Sequence, residues 1–158
     1  RPRCARLWKA RENLAEDWDH ALPVESRCLR IMMTSEVWQT PNNTWPWPDA
    51  LDALIAAPGH HILLLENERV RVVRTRIPAG QIVPVHTHRW PGVLFITAWS
   101  DLVRRDPEGN VILDTRQLAD KPASNVPLWQ EPLTPHAVEN VGGGEFNAVQ
   151  VEMKDASR

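Results

Sequence analysis

The stretch Gly80-Gln-Ile-Val-Pro-Val-His86-Thr-His88 carries two histidines at alternate positions. On a β-strand, residues two apart point to the same face of the sheet, at a backbone separation of roughly 7 Å. Both imidazoles can therefore reach one ion, while Thr87 between them faces the other way. Pro84 before the pair and Pro91-Gly92 after it predict that this strand is short.

The chain on both sides of this stretch has the pattern of an all-β domain. Short apolar or alternating runs are separated by turn residues, such as Pro78-Ala79-Gly80 and the loop at 106–110. About eight strands without helices between them indicate an antiparallel sandwich or barrel. The predicted strands are His61–Leu65, Val70–Ile77, Ile82–His88, Val93–Arg104, Val111–Asp114, Val126–Trp129, His136–Val141 and Phe146–Met153.

Gly80, the His86 and His88 pair, and the later His136 with Asn140 resemble the two halves of the cupin signature. In cupins, three histidines from neighbouring strands of a jelly roll meet inside the barrel and hold a divalent metal. The resemblance covers residues from about 60 to 154. It implies a small antiparallel jelly-roll (cupin) β-barrel whose metal ligands are His86, His88 and His136.

The sequence also departs from the cupin pattern. Cupins usually carry a glutamate ligand five residues after the second histidine of the pair, and Val93 stands there. Glu139 does not replace it, because strand alternation puts Glu139 on the opposite face from His136. His60 and His61 begin the first strand and could approach the site, but we expect a structural or surface role for both.

A three-histidine site has a defined chemistry. Neutral imidazoles suit Fe, Zn, Ni, Cu or Mn and leave the +2 charge of the ion uncompensated, so an anionic chelating ligand is expected in the open positions. Three-histidine cupins with ferrous iron include thiol and diketone-cleaving dioxygenases. The resemblance therefore implies an Fe(II)-type dioxygenase with a small-molecule substrate.

Three alternatives to the dioxygenase stay open. The first is a lyase or isomerase that uses Zn, Mn or Ni as a Lewis acid. The second is a ligand-binding or sensing cupin without turnover. The third is a cupin barrel that holds no useful metal.

The predicted strand after the histidine pair supplies a candidate pocket wall. If Val93 faces inward, as the aligned glutamate would, every second residue after it shares a mostly apolar pocket face. These residues are Phe95, Thr97 and Trp99. The other face of the strand is also apolar, which favours a covering partner and hence a homodimer.

Two further sets of polar residues are candidates for the pocket. Arg71, Arg74 and Arg76 lie on the second predicted strand, and one that points inward could pair with a substrate carboxylate, although most strand arginines are solvated or salt-bridged. Asn140 lies two pleats from His136. It could support a metal ligand, or it could organise the turn before Gly142.

The first 48 residues differ in character from the barrel domain expected at 49–158. Apolar residues at helical spacing predict an amphipathic helix in an N-terminal extension that is partly helical or disordered. They are Leu7, Leu14, Trp18 and Leu22. Asp49 is expected to cap a short helix that ends at Pro58-Gly59. Cys4 and Cys28 could form a disulfide, but free thiols in a reducing cytosol are expected.

Size and charge exclude several functional classes. The chain has 158 residues, a formal net charge of −2 and no long basic run, so a nucleic-acid or anionic-membrane surface is not expected. No stretch approaches the roughly 18 consecutive apolar residues of a membrane span. We expect a single cytoplasmic barrel domain.

Overall fold

The structure is a computed structural model that describes residues 45–154. The expected amphipathic helix near the N-terminus and both cysteines lie outside the described residues, as do residues 155–158.

Within residues 45–154, a 3-10 turn at Asp49–Leu51 and the short helix α1 (Ala53–Ala56) precede nine strands. The strands are β1 (His61–Glu66), β2 (Val70–Ile77), β3 (Ile82–His88), β4 (Gly92–Ala98), β5 (Leu102–Arg105), β6 (Val111–Asp114), β7 (Pro127–Gln130), β8 (Leu133–Asn140) and β9 (Phe146–Met153). The cap of α1 is Asp52 rather than the predicted Asp49, because the Asp52 side chain accepts a 3.0 Å hydrogen bond from the Leu54 amide.

The strands form two antiparallel sheets that enclose the interior. The five-stranded sheet has the order β1-β2-β9-β4-β7, and the four-stranded sheet has the order β3-β8-β5-β6. Apart from the hairpins β1–β2 and β5–β6, strands that follow one another in the chain lie in different sheets, so the chain repeatedly crosses from one sheet to the other. The all-β jelly-roll fold predicted from the sequence is confirmed.

The predicted strand Val93–Arg104 is two strands. β4 belongs to the five-stranded sheet and β5 to the four-stranded sheet, and the chain changes sheet at residues 99–101. Asn140 holds this corner, because its Oδ1 atom accepts a 2.7 Å hydrogen bond from Ser100 Oγ. Ser100 and Asp101 interrupt the apolar run at this corner, and this short polar break was the local sign of two strands that the sequence interpretation missed.

An apolar core lies between the two sheets. It contains Ala57, Ile77, Val83, Leu94, Ile96, Leu128, Val138, Phe146 and Ala148. The 3-10 turn and α1 cover the outside of β3, where Thr87 Oγ1 donates a 3.2 Å hydrogen bond to the Leu51 carbonyl. No helix among residues 45–154 is both long and apolar enough to span a membrane.

Candidate metal centre

Four buried histidines come together inside the barrel. His86 and His88 lie on β3, His136 on β8 and His61 at the start of β1, and none is more than 6% exposed. The ring centroids of His86 and His136 are 4.4 Å apart, and those of His61 and His86 are 4.7 Å apart. These four side chains are called the histidine cluster below.

Three members of the histidine cluster have the geometry of a metal site. One ligand nitrogen from each of His61, His86 and His88 lies within 4.8 Å of the others. His136 adjoins this trio through its ring contact with His86, and its ring centroid lies 5.9 Å from that of His88. The structure thus brings the three predicted ligands together and adds His61 to them.

His61 is the residue that the sequence interpretation misplaced. We expected a structural or surface role for it, but its side chain is 3% exposed and belongs to the trio whose geometry could hold a metal ion. Its partner across the β1–β2 ladder is Thr75, which lines the same interior cavity. Residues paired across an antiparallel ladder share a face, so the register of β1 against β2 was the signal that sequence alone lacked.

Two β-bulges near prolines orient the histidine side chains of β3 and β8. His86 pairs with His136, but the register shifts by one residue on either side of this pair. Pro84 and Pro135, which have no amide hydrogen to donate to the ladder, lie within the shifted segments. Each bulge places a carbonyl beneath a ring: His86 Nδ1 lies 2.8 Å from the Pro84 oxygen, and His136 Nδ1 lies 2.7 Å from the Thr134 oxygen.

The hydrogen bonds define the tautomer of every ring in the cluster. His61 Nδ1 faces the Ala57 carbonyl at 3.4 Å, and His88 Nδ1 faces Glu152 Oε1 at 3.2 Å. Together with the two bulge carbonyls, all four partners of Nδ1 are acceptors, so Nδ1 carries the proton. A ring that is protonated on Nδ1 alone keeps a lone pair on Nε2, the form in which histidine binds metals.

Burial keeps these rings neutral. Desolvation, followed by the nearby His88 and His86, lowers the pKa of His61 to about 2. Desolvation and His88 lower the pKa of His86 to about 3. The pKa of His136 lies well below its ordinary value because of burial, His86 and Arg104. At neutral pH these three histidines are therefore uncharged.

A buried chain of charges stands behind His88. Glu152, which is fully buried, accepts from His88 Nδ1 and also from Arg71 Nε at 2.5 Å. Arg71 donates in turn to Asp52 at 2.9 Å. Burial alone acts to raise the pKa of Glu152, but the hydrogen bonds from His88 and Arg71 outweigh it and hold that pKa below its ordinary value. The carboxylate absent from the ligand set is thus present one step further out, where it orients His88.

A cavity of about 80 Å³ adjoins the histidine cluster. Much of its wall is apolar, with Ile77, Val83, Leu94, Leu102, Leu113, Leu133, Val138 and Phe146 among the lining residues. Arg104, Gln130 and Gln150 supply polar groups to the same wall. Burial lowers the pKa of Arg104 to about 10, so its guanidinium remains charged at neutral pH.

The predicted pocket face of β4 points away from the cavity. Leu94 and Ile96 are buried on the inner face, while Val93 and Phe95 are half-buried on the outer one and Thr97 is exposed. Gly92, the first residue of β4, is also buried, and a Cβ there would lie 2.1 Å from the Val151 carbonyl oxygen of β9.

Trp99, the last member of that predicted face, is also absent from the cavity wall. It follows the end of β4 and packs against the apolar core, with its ring centroid 6.2 Å from that of Phe146. The alternation counted from Val93 does not extend to it, because the β4–β9 register shifts between Ile96 and Ala98.

The predicted arginines and Asn140 lie elsewhere. Arg74 Nε donates to Asn147 at 3.2 Å, and Arg76 pairs with Glu145 at the surface at 2.7 Å, because both arginines project from the outer face of β2. Asn140 Nδ2 donates to the carbonyls of Ile77 and Gly144 at 2.6 and 2.8 Å. These contacts favour the alternative in which Asn140 organises turns.

No family model matches this chain, and no curated protein matches it. Solved structures similar to it include a cupin domain from Bordetella pertussis Tohama I, at 26% identity over 60% of this chain and 91% of that one, with a TM-score of 0.48. An RmlC-like cupin from Methanocaldococcus jannaschii has 12% identity, coverages of 59% and 77%, and a TM-score of 0.43.

A conserved double-stranded β-helix protein from Klebsiella pneumoniae has 16% identity over 78% of this chain and 88% of that one, with a TM-score of 0.43. The fold assignment rests on the strand order described above. The jelly-roll fold implied by the resemblance to cupins is the fold that this strand order shows.

Proposed function

We propose that this cupin-fold chain is a metal-dependent enzyme, a non-haem Fe(II)-type dioxygenase that acts on a small anionic chelating substrate. The observation that supports this most strongly is the state of the histidine cluster. Its rings hold their Nδ1 protons against acceptors and keep Nε2 free, and the metal-binding trio includes no carboxylate. Such a donor set suits a divalent transition metal.

The chain's own residues would prepare the site for an anion. His61, His86 and His88 would hold the metal, with His136 beside them, and neutral donors would leave its +2 charge uncompensated. Bound ferrous iron would supply the redox chemistry with O2. The apolar wall would exclude bulk water and strengthen the electrostatic attraction of the substrate.

The cavity offers no obvious base, which favours a dioxygenase over a lyase or isomerase. None of the described residues that line the cavity is an aspartate or glutamate. Glu152, the carboxylate in contact with the cavity residue His88, is already engaged by His88 and Arg71. A substrate that arrives as an enolate, thiolate or carboxylate needs no protein base to become a ligand.

Metal analysis tests the site directly. We expect near-stoichiometric metal in the untagged wild-type protein after anaerobic reconstitution with Fe(II), and at least tenfold lower occupancy in His86→Ala and His61→Ala. His60→Ala is the matched control, because His60 bonds to Gln81 at 3.0 Å and lies outside the cluster. Far-UV circular dichroism checks that each variant folds. Equal metal in all four proteins would overturn the assignment.

Oxygen consumption by the iron-loaded protein, screened with short diketones and thiols, then tests the activity. Uptake that depends on both iron and substrate supports the dioxygenase. A protein that isolates with zinc or nickel and consumes no oxygen would point to Lewis-acid chemistry. Tight ligand binding by the iron form without oxygen uptake would instead indicate a sensing cupin.

A further inference from the structure

Three buried hydrogen-bond donors in the cavity wall have no partner among the described residues. They are the Nε atom of Arg104 and the Nε2 atoms of Gln130 and Gln150. Gln130 and Gln150 are 5% and 2% exposed, so water outside the protein does not satisfy them. A buried donor without a partner destabilises the fold, so its presence in a native protein calls for an explanation such as a ligand, an ordered water or an ion.

The charge of Arg104 is unpaired as well. No carboxylate of the described residues lies within ion-pair distance of it, whereas its neighbour Arg105 reaches Glu139 at 3.7 Å and the buried Arg71 reaches Glu152 at 2.5 Å. Arg104 also lies near enough to the histidine cluster for its charge to act on His86 and His136. A cationic group and the metal site therefore share one small cavity.

The donors come from both walls of the cavity. Arg104 projects from β5 of the four-stranded sheet, while Gln130 and Gln150 project from β7 and β9 of the five-stranded sheet. Gln130 and Gln150 lie on the two strands that flank β4, opposite Gly92 and Leu94 respectively. A bound anion could thus meet the guanidinium from one sheet and amide groups from the other.

We propose that Arg104, with Gln130 and Gln150, forms a carboxylate-recognition site and that the ligand of this cavity is a short dianion. One carboxylate pairs with Arg104, and a second anionic group binds the metal held by the histidine cluster. This inference rests on the proposed metal site.

Charge and volume set the size of the ligand. A divalent metal on neutral ligands together with Arg104 leaves an excess of positive charge, of which the chain Asp52–Arg71–Glu152 offsets part. A dianion matches what remains. At roughly 10–15 Å³ for each water-sized group, the 80 Å³ cavity admits about five to eight non-hydrogen atoms. Four-carbon dicarboxylates are at the upper end of this range.

The test compares succinate with succinamate, its half-amide, which has the same size and one charge less. Isothermal titration of the metal-loaded protein is expected to give at least tenfold tighter binding of succinate, since hydrogen bonds between two charged groups are stronger than those to a neutral amide. In Arg104→Gln the affinities for succinate and succinamate should differ by less than twofold, and the metal content should be unchanged. Arg104→Lys should retain part of the preference for succinate.

Arg105→Gln is the matched control, because it removes the adjacent strand arginine and should leave the preference intact. If Arg104→Gln binds both probes as the wild type does, the inference is overturned while the metal site stands. If the wild type holds no metal, the proposed function fails. In that case Arg104 is still tested by comparing how butyrate and butyramide raise the melting temperature of the metal-free protein. A rise with butyrate that is lost in Arg104→Gln supports the inference. An equal effect of both probes overturns it.

Discussion

The carboxylate of Glu152 contacts Nδ1 of His88, the ring nitrogen opposite Nε2, and so influences the histidine cluster through this one ring. This contact fixes the tautomer and raises the basicity of Nε2, the nitrogen that would face a bound metal. Arg71 limits the effect, because it shares the same carboxylate. Glu152 is thus a positioning residue rather than a metal ligand, which explains how the cluster differs from the histidine-plus-glutamate set of most cupins.

Glu152→Gln is expected to weaken metal binding by about 10- to 100-fold, which is typical of lost partners behind a metal-ligating histidine. The glutamine can still accept from His88, so saturating metal should restore full occupancy. Competition with a chelator of known affinity measures the change. Glu145→Gln, which removes a surface partner of Arg76, is the control and should leave the affinity unchanged. An unaltered affinity in Glu152→Gln would show that the contact does not support the metal.

At this scale the sequence predicted part of the site. His86 and His88 follow from strand alternation, and His136 follows from the resemblance to cupins. His61 could not be placed, because the face of a strand's first residue depends on its register with a neighbour. Glu152 could not be recognised either, since a single acidic residue in an apolar strand has no local pattern that distinguishes a buried partner from an exposed charge.

At the scale of elements, β4 and β9 approach each other closely at Gly92. A Cβ on Gly92 would approach the Val151 oxygen to 2.1 Å and the Glu152 Cα to 2.9 Å, and both are backbone atoms that cannot move alone. Gly92 therefore lets β9 bring Glu152 close enough to reach His88.

Gly92→Ala should lower the free energy of unfolding by about 1–3 kcal/mol, the usual cost of overpacking, because the two strands must separate. Urea unfolding measures this. The matched control is Gly143→Ala, since a Cβ at Gly143 meets nothing within 4 Å and its change should stay within about 0.5 kcal/mol. The same shift of β9 should weaken metal binding in Gly92→Ala. Equal stability of the two variants would contradict the tight approach.

The bounds of the strands were largely predictable, but which residues of β4 face the interior was not. Four predicted strands have the observed bounds, β2, β3, β6 and β9, because turn residues bracket clear apolar runs. The phase of β4 was wrong because it was counted from an assumed glutamate position at Val93. The exposed Thr97 lies on the outer face, and a polar residue in an otherwise apolar strand was the local sign of the correct phase.

At the scale of the whole molecule, buried neutral histidines make folding depend on pH. The unfolded chain protonates these groups near pH 6.5, whereas in the folded protein the pKa of His86 lies at about 3 and that of His61 at about 2. Below pH 6.5 the unfolded state therefore binds more protons than the folded state. This stabilisation is complete above that pH and is lost as the pH falls toward the folded values.

The metal-free protein should thus lose stability between pH 6.5 and 5, by about 1.4 kcal/mol per pH unit for each buried neutral histidine. Carboxylates titrate mainly below this window and do not account for the loss. Bound metal requires the same neutral rings, so it should move acid unfolding to lower pH. Urea unfolding at successive pH values, with and without metal, measures both effects.

His61→Leu should make the free energy of unfolding of the metal-free protein fall less steeply with decreasing pH, by the contribution of one histidine. The substitution removes one buried ring that the acid-unfolded chain would protonate. His60→Leu should leave the slope as it is, since His60 lies outside the cluster and its ring bonds to Gln81 near the surface. Constant stability from pH 7 to 5 in the metal-free wild type would mean that the rings do not stay neutral, and the tautomers on which the metal site depends would then have to be abandoned.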